Sequence, residues 1–256
     1  MDAISLVISS CDSHSDAWST FFYLLHRMWS ELQYPIYIIA ESKEYQDDNI
    51  RAVNPLVGEN NEKKTWSWIF KRALKRIESE YVIVLLEDYF LESEVDTEEL
   101  EKCVSFMQNN TDVACITFRG KKEAEESKEL PGYRLVEKGS LYRADCQASI
   151  WRKECLLKLL RDHEDAWRFE HFGSKRTNRY AWRFYKAIGS RVFDYDGGDP
   201  IFRGYWNMKS IRRIEEKVGI SIDTSGRDRI ESRDELPKRR RDSIIRRIAG
   251  RIRSSI

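Results

Sequence analysis

Short, fully apolar runs alternate along this chain with stretches whose apolar positions recur every three or four residues. Ile4–Ser9 (ISLVIS) is apolar and β-branched and ends in the polar turn Ser10-Cys11-Asp12-Ser13, which predicts a buried strand. Residues 15–32 carry helical spacing. Residues 35–40 (PIYIIA) read as a second strand closed by Glu41-Ser42, and residues 50–57 as a short third before Gly58. Residues 65–78 predict an amphipathic helix with Trp66, Ile69, Phe70, Ala73, Leu74 and Ile77 on one side. Tyr81–Leu86 (YVIVLL) is the strongest strand signal and runs directly into Glu87-Asp88-Tyr89-Phe90. A helix over 96–108 and a strand over 113–118 follow. Fully apolar strands separated by helices predict a mostly parallel α/β sheet covered on both faces.

The second half changes character. Residues 120–131 (GKKEAEESKELP) are a charged insertion, expected as a mobile surface loop. Residues 142–151 predict a strand leading into a helix over 152–161, followed by an aromatic and charged stretch over 167–174. A helix over 176–188, a strand over 191–194, a glycine turn at 197–200 and a helix over 207–218 complete the pattern.

Composition narrows the classes. Of 256 residues, 41% are hydrophobic and 12% aromatic, enough for a large core and against wholesale disorder. Mean hydropathy is −0.63, and no apolar run approaches the ~20 residues of a membrane-spanning helix. The first residues lack a basic segment and meet Asp12 too early for a signal peptide, so the expected location is the cytoplasm. Five widely spaced cysteines without a C-x-x-C pair argue against a zinc ribbon or a disulfide framework and fit buried thiols.

The formal charge of +1 conceals an asymmetry. Residues 238–256 hold eight Lys/Arg against one acid, so the rest of the chain is acidic. There Ile244, Ile248, Ile252 and Ile256 form one apolar stripe, while arginines including Arg246, Arg247 and Arg251 fill the other face. Such a helix suits an anionic membrane surface. Packing against the protein body and a solvated end are the competing readings; nucleic acid is disfavoured because no aromatic residue interleaves the arginines.

Ligands of parallel α/β sheets bind beyond the carboxyl ends of the strands. Three polar clusters stand there: Ser10-Cys11-Asp12, Glu41 and Glu87-Asp88. Charged residues ending an apolar strand are costly unless exposed or liganded, and a carboxylate pair suits a hard divalent cation. A helix cap or a salt-bridged loop is the plain alternative. No G-x-G-x-x-G, P-loop, G-x-S-x-G or H-E-x-x-H is present, and the four histidines show no metal-ligand spacing. Glu170, between Trp167, Phe169 and Phe172, has the surroundings of a desolvated base. Arg176, Arg179, Arg203 and Lys209 are the cations available to offset phosphate charge.

The segments ISLVISSCDS, PIYIIAES, TWSWIFKRALKRI, YVIVLLEDYFL, CQASIWRKECLLKLL and AWRFEHFGS, in this order, resemble GT-A fold glycosyltransferases, particularly the small family-two enzymes of bacterial surface-polysaccharide synthesis. The resemblance covers residues 3–205. It implies a catalytic domain over 1–220, with a nucleotide-sugar-binding half over 1–118 and an acceptor-binding half over 140–220; residues 221–256 are then a polar linker and the basic tail. It further implies a nucleotide pocket at Ser9, Asp12, Glu41 and Asp88, and Mn2+ or Mg2+ at Glu87 and Asp88, although Glu-Asp-Tyr replaces the commoner Asp-x-Asp. Acceptor or sugar contacts fall to Gln147, Ser149, Trp167 and His171, phosphate compensation to Arg203 and Lys209, and the base of an inverting transfer to Glu170. The implied partners are a nucleotide-sugar donor (UDP- or another NDP-sugar), a glycan or polyprenyl-diphosphate-linked acceptor, and the inner membrane face through Arg246, Arg247, Ile248, Arg251 and Ile252. A nucleotidyltransferase shares the layout but usually has a glycine-rich basic loop where this chain has SSCDSHSD. A non-catalytic membrane- or polyanion-binding module on the same fold is the third reading.

Overall fold

The computed structural model describes residues 3–45, 47, 49–54, 64–195, 200–231 and 235. The basic tail, with Arg246, Arg247, Ile248, Arg251 and Ile252, lies outside them, as do Gly197-Gly198-Asp199 and Gly58. Among the described residues, no helix is long and apolar enough to cross a membrane.

The chain runs β1 (Ile4–Ser9), a 3-10 turn (Asp12–Ala17), α1 (Trp18–Met28), β2 (Ile36–Ile39), β3 (Ile50–Val53), α2 (Trp66–Leu74), β4 (Tyr81–Leu86), α3 (Thr97–Asn109), β5 (Val113–Thr117) and β6 (Tyr133–Leu135). Then follow β7 (Ser149–Arg152), α4 (Lys153–Leu159), α5 (Ala166–Arg168), a π turn (Phe169–Gly173), α6 (Ser174–Arg176), a 3-10 turn (Thr177–Arg179), β8 (Arg183–Ala187), β9 (Ile201–Phe202), β10 (Tyr205–Asn207), α7 (Met208–Val218) and β11 (Arg229–Ile230). Eight strands form one mixed sheet, ordered β3-β2-β1-β4-β7-β5-β8-β6. The first four run parallel, as does β5 with β8; β7 is antiparallel to β4 and β5, and β6 to β8. This is the expected α/β class: a mixed, mostly parallel sheet flanked by helices.

Strand alternation divides the core in two. Leu6, Ile8, Ile83 and Leu85 face α1, α3 and α7, where they meet Phe21, Leu25, Val104 and Ile214. Val7, Val82 and Val84 face α2 and α4, against Phe70, Leu74 and Leu156. Both faces of β1 and β4 are buried, which is why β4 is apolar throughout and β1 departs from that only at the small residues Ser5 and Ser9.

The second half departs from its periodicity. The helix expected over 176–188 is a short 3-10 turn followed by β8, because Arg183–Ala187 fills a parallel slot beside β5 and closes an antiparallel edge with β6. Of the strand expected over 142–151, only Ser149–Arg152 pairs. Residues 191–194 form no strand and meet the sheet through isolated bridges at Ser190 and Tyr195. The charged insertion has no helix or strand, and β6 follows it at 133–135.

Candidate functional site

After β1 the chain crosses to β2 on one side, and after β3 it returns through α2 to β4 on the other side of β1. The crevice beyond the carboxyl ends of β1 and β4 is therefore the topological switch point. A cleft of about 80 Å³ opens beside it, lined by Ser9, Cys11, Glu41, Lys64, Trp66 and Phe70. α2 starts at this cleft because Thr65 caps it, its hydroxyl accepting the Trp68 N–H at 3.2 Å. Trp66 donates its indole N–H to the Ser9 hydroxyl at 2.9 Å and stacks on Phe70 at 5.0 Å. Phe169, 5.6 Å from Trp66, joins this wall to the π turn that carries Glu170.

The first-strand loop is knotted to the second. The Asp12 carboxylate accepts the Ser42 N–H at 3.0 Å, the Ser42 hydroxyl at 2.5 Å and the Lys43 N–H at 3.0 Å, while the Asp12 N–H donates to Glu41. Burial works to raise the Asp12 pKa, but these donors together hold it below the ordinary carboxylate value. Ser9 and Glu41 thus line the cleft, and Asp12 clamps the loops that shape it.

Glu87, 6% exposed, forms an ion pair with His14 Nδ1. Burial disfavours the charged imidazole; hydrogen bonds from it to Cys11 and Glu87 outweigh that and push the His14 pKa up to about 10. Cys11 Sγ, a His14 nitrogen and a Glu87 oxygen lie within 4.8 Å of one another. Asp88 follows at the same strand end. The donor set at Glu87 therefore includes sulfur and nitrogen, whereas Mn2+ and Mg2+ favour oxygen, so the oxygen donor left for a hard cation is Asp88.

Across the crevice, Glu170 accepts the Cys146 N–H at 3.1 Å. Tyr89 donates its hydroxyl to the Cys146 carbonyl at 2.9 Å, so the backbone of one residue bridges the segment after β4 and the π turn. Burial raises the Glu170 pKa above the ordinary carboxylate value; the Cys146 N–H opposes the rise, nearby Asp145 adds to it and Lys186 subtracts. Asp145 and Lys186 are themselves a buried ion pair. Gln147 accepts the Tyr195 hydroxyl at 2.9 Å, and Tyr195 stacks on Tyr89 at 4.2 Å and 15°. Ser149 is 1% exposed inside β7 and accepts the Trp151 indole N–H at 2.9 Å. Trp167, 75% exposed, and exposed His171 stand at the surface beside Glu170.

Among the cations, Arg176 is committed: it is 3% exposed and grips fully buried Glu164 with bonds of 2.8 and 2.5 Å. That differs from the phosphate role weighed for it, because a buried carboxylate requires this partner. Arg203 sits in the tight turn between β9 and β10 with φ 54°, followed by Gly204 at φ 85°, and its guanidinium lies over Phe202 at 5.3 Å. Lys209 is exposed in the first turn of α7. Neither lines the cleft, where the cation among the described residues is Lys64. Sequence reasoning passed over Lys64 and Lys186, read Cys11 only as part of a polar strand end, and found no metal-ligand spacing at His14. Only the Cys11-x-x-His14 spacing offered a signal, and it has meaning only on a 3-10 turn.

A wider groove of about 590 Å³, lined by Trp29, Tyr34, Glu98 and Glu101 among others, shares none of these residues.

No protein-family model and no curated protein sequence matches this chain. Its layout is a Rossmann-like, glycosyltransferase-like α/β fold. Among solved structures, S. aureus TarS 1–349 is similar with a TM-score of 0.50 at 11% identity, over 85% of this chain and 65% of that one. TarS 1–349 in complex with UDP gives 0.49 at 13% identity, over 75% and 60%. A cytidylyltransferase from Leptospira borgpetersenii serovar Hardjo-bovis gives 0.46 at 10% identity, over 88% and 99%. The chain thus spans 65% of the TarS fragment, and the likeness establishes the fold.

Proposed function

We propose that this chain is a nucleotide-sugar-dependent, inverting glycosyltransferase acting on a glycan or polyprenyl-diphosphate-linked acceptor in surface-polysaccharide synthesis. The observation that carries the reading is Glu170: a carboxyl with a raised pKa, tied through the Cys146 backbone to Tyr89 at the switch-point crevice. Burial that raises this pKa makes the carboxylate a stronger base than an exposed one. Its oxygen removes the acceptor hydroxyl proton while that hydroxyl oxygen bonds to the anomeric carbon. The bond from that carbon to the diphosphate oxygen breaks, and the nucleoside diphosphate departs with the electron pair.

The donor nucleotide is assigned to the cleft, with its base against Trp66 and Phe70 and Lys64 offsetting diphosphate charge. Mn2+ or Mg2+ held at Asp88 would supply further positive charge there. Exposed Trp167 offers a flat ring to a sugar face beside Glu170. The basic tail brings the domain to lipid-linked acceptor at the inner membrane face, a role tested by deleting residues 238–256 and measuring association with anionic liposomes.

Thermal shift with UDP, GDP, CMP and dTDP, each with manganese or EDTA, tests the donor site. Saturating ligand at a hundredfold excess over Kd stabilises the fold by about 2.7 kcal/mol. One selective nucleotide supports the reading, and no shift with any of them counts against it. Glu170→Gln separates enzyme from binding module: the enzyme loses transfer and keeps nucleotide binding, whereas near-normal turnover removes Glu170 as base.

A further inference from the structure

Cys11 and His14 stand three residues apart on the 3-10 turn after β1, where the His14 N–H donates to the Cys11 carbonyl at 2.9 Å. Three residues per turn places i and i+3 side by side, so thiol and imidazole share one face. Glu87 reaches them from the neighbouring strand: Leu86 pairs with Ser9, so the first residue beyond β4 lies against the first turn beyond β1. One sulfur, one nitrogen and one oxygen come within 4.8 Å of each other. Tetrahedral zinc, with bonds of about 2.0–2.3 Å, spaces its donors by roughly 3.3–3.8 Å, so small side-chain shifts, with the metal replacing the direct His14–Glu87 contact, close the site. The Ser13 hydroxyl, 3.1 Å from Cys11 Sγ, supplies the kind of outer hydrogen bond that orients metal ligands.

We propose that Cys11, His14 and Glu87 form a binding site for a borderline-soft divalent cation of the zinc class, with its fourth position open to the cleft that Cys11 lines. Thiolate and imidazole select zinc and cobalt over magnesium and manganese. Three protein ligands and one open position are the arrangement of a reactive zinc centre, whose free site takes water or a phosphate oxygen. The site is distinct in chemistry from an all-oxygen cation site at Asp88, and it stands whether or not the chain transfers sugar.

The test uses the full chain and metal alone. After incubation with Co2+ and desalting, the protein is expected to keep about one ion per chain, with thiolate-to-cobalt charge-transfer absorption and the strong visible bands of four-coordinate cobalt. Zinc should displace it, and a large excess of Mg2+ should not. Cys11→Ser, at a partly exposed position, should abolish the charge-transfer band with the circular dichroism spectrum unchanged. Glu87→Gln should weaken retention, Ser13→Ala should weaken it about tenfold, and Asp88→Asn should leave the spectrum intact. Failure to retain cobalt, displacement by Mg2+, or a charge-transfer band that survives Cys11→Ser would each overturn the proposal.

Discussion

Asp12 and Glu170 are both partly buried carboxylates at the mouth of the same sheet, and their surroundings drive them in opposite directions. Around Asp12, the hydroxyl of Ser42 and the N–H groups of Ser42 and Lys43 converge on the charge and keep it ionised. Around Glu170, burial is met by one N–H, from Cys146, and the carboxyl is held protonated to higher pH. A charge met by several protein donors in a loop knot holds the loops together; a charge short of donors is available for proton transfer. Deeper burial of Glu170, together with the count and aim of donors, separates the clamp from the candidate base.

The largest effect expected is on chemistry in the second region. Glu170→Gln should lower transfer by about 10²–10⁴-fold, the usual worth of a general base, and remove the rising acid limb of the pH–rate profile. Unchanged rates would leave Glu170 and Asp12 equivalent. The frame of that region should fail next: Arg176 follows the π turn, and its partner Glu164 accepts the Ser67 N–H of α2 at 3.1 Å. Arg176→Met strands a buried carboxylate and should cost about 3–5 kcal/mol in denaturant unfolding. Asp12→Asn should cost less, about 1–2 kcal/mol for lost bonds to a partly exposed charge.

The two acids should also differ in how their stability effects depend on pH. Asp12, with a folded pKa below its ordinary 3.8, contributes stability present above 3.8 and lost as pH falls through the folded value. Glu170, raised above its ordinary 4.5, binds its proton more tightly folded than unfolded, so stability declines as pH rises from 4.5 through the folded value. Urea titrations from pH 3 to 8 should therefore show a deficit for Asp12→Asn that grows as pH rises towards 3.8 and is complete above it, and an advantage for Glu170→Gln that opens above about 4.5. Deviations of the same sign in both variants would dissolve the comparison. The smallest effect belongs to the cleft wall: Thr65→Ala removes the α2 cap and should cost about 1 kcal/mol, with weaker nucleotide binding if the wall holds the base.

The first half of the sheet was legible because its strands are mostly apolar and its helices amphipathic, and local pattern and global pairing agree there. β8 was not. Its segment reads as helix, and only the slot between β5 and β6 makes it a strand. Glu170 was legible as an acid among aromatics, and Ser9 and Glu41 as polar strand ends. The pairing of His14 with Glu87 was not, since 73 residues separate them, nor was the commitment of Arg176 to Glu164.

By itself, then, the sequence determined the alternating layers and the polar ends of β1, β2 and β4, because burial imposes a period on the residues of each element. Tertiary structure decided which polar ends meet. Strand order set Cys11 and His14 against Glu87, and the loop at 145–148 carried the Cys146 N–H to Glu170. Periodicity encodes which face of an element is buried; convergence of charges depends on crossovers whose partners lie far apart in the chain, and no local pattern records them.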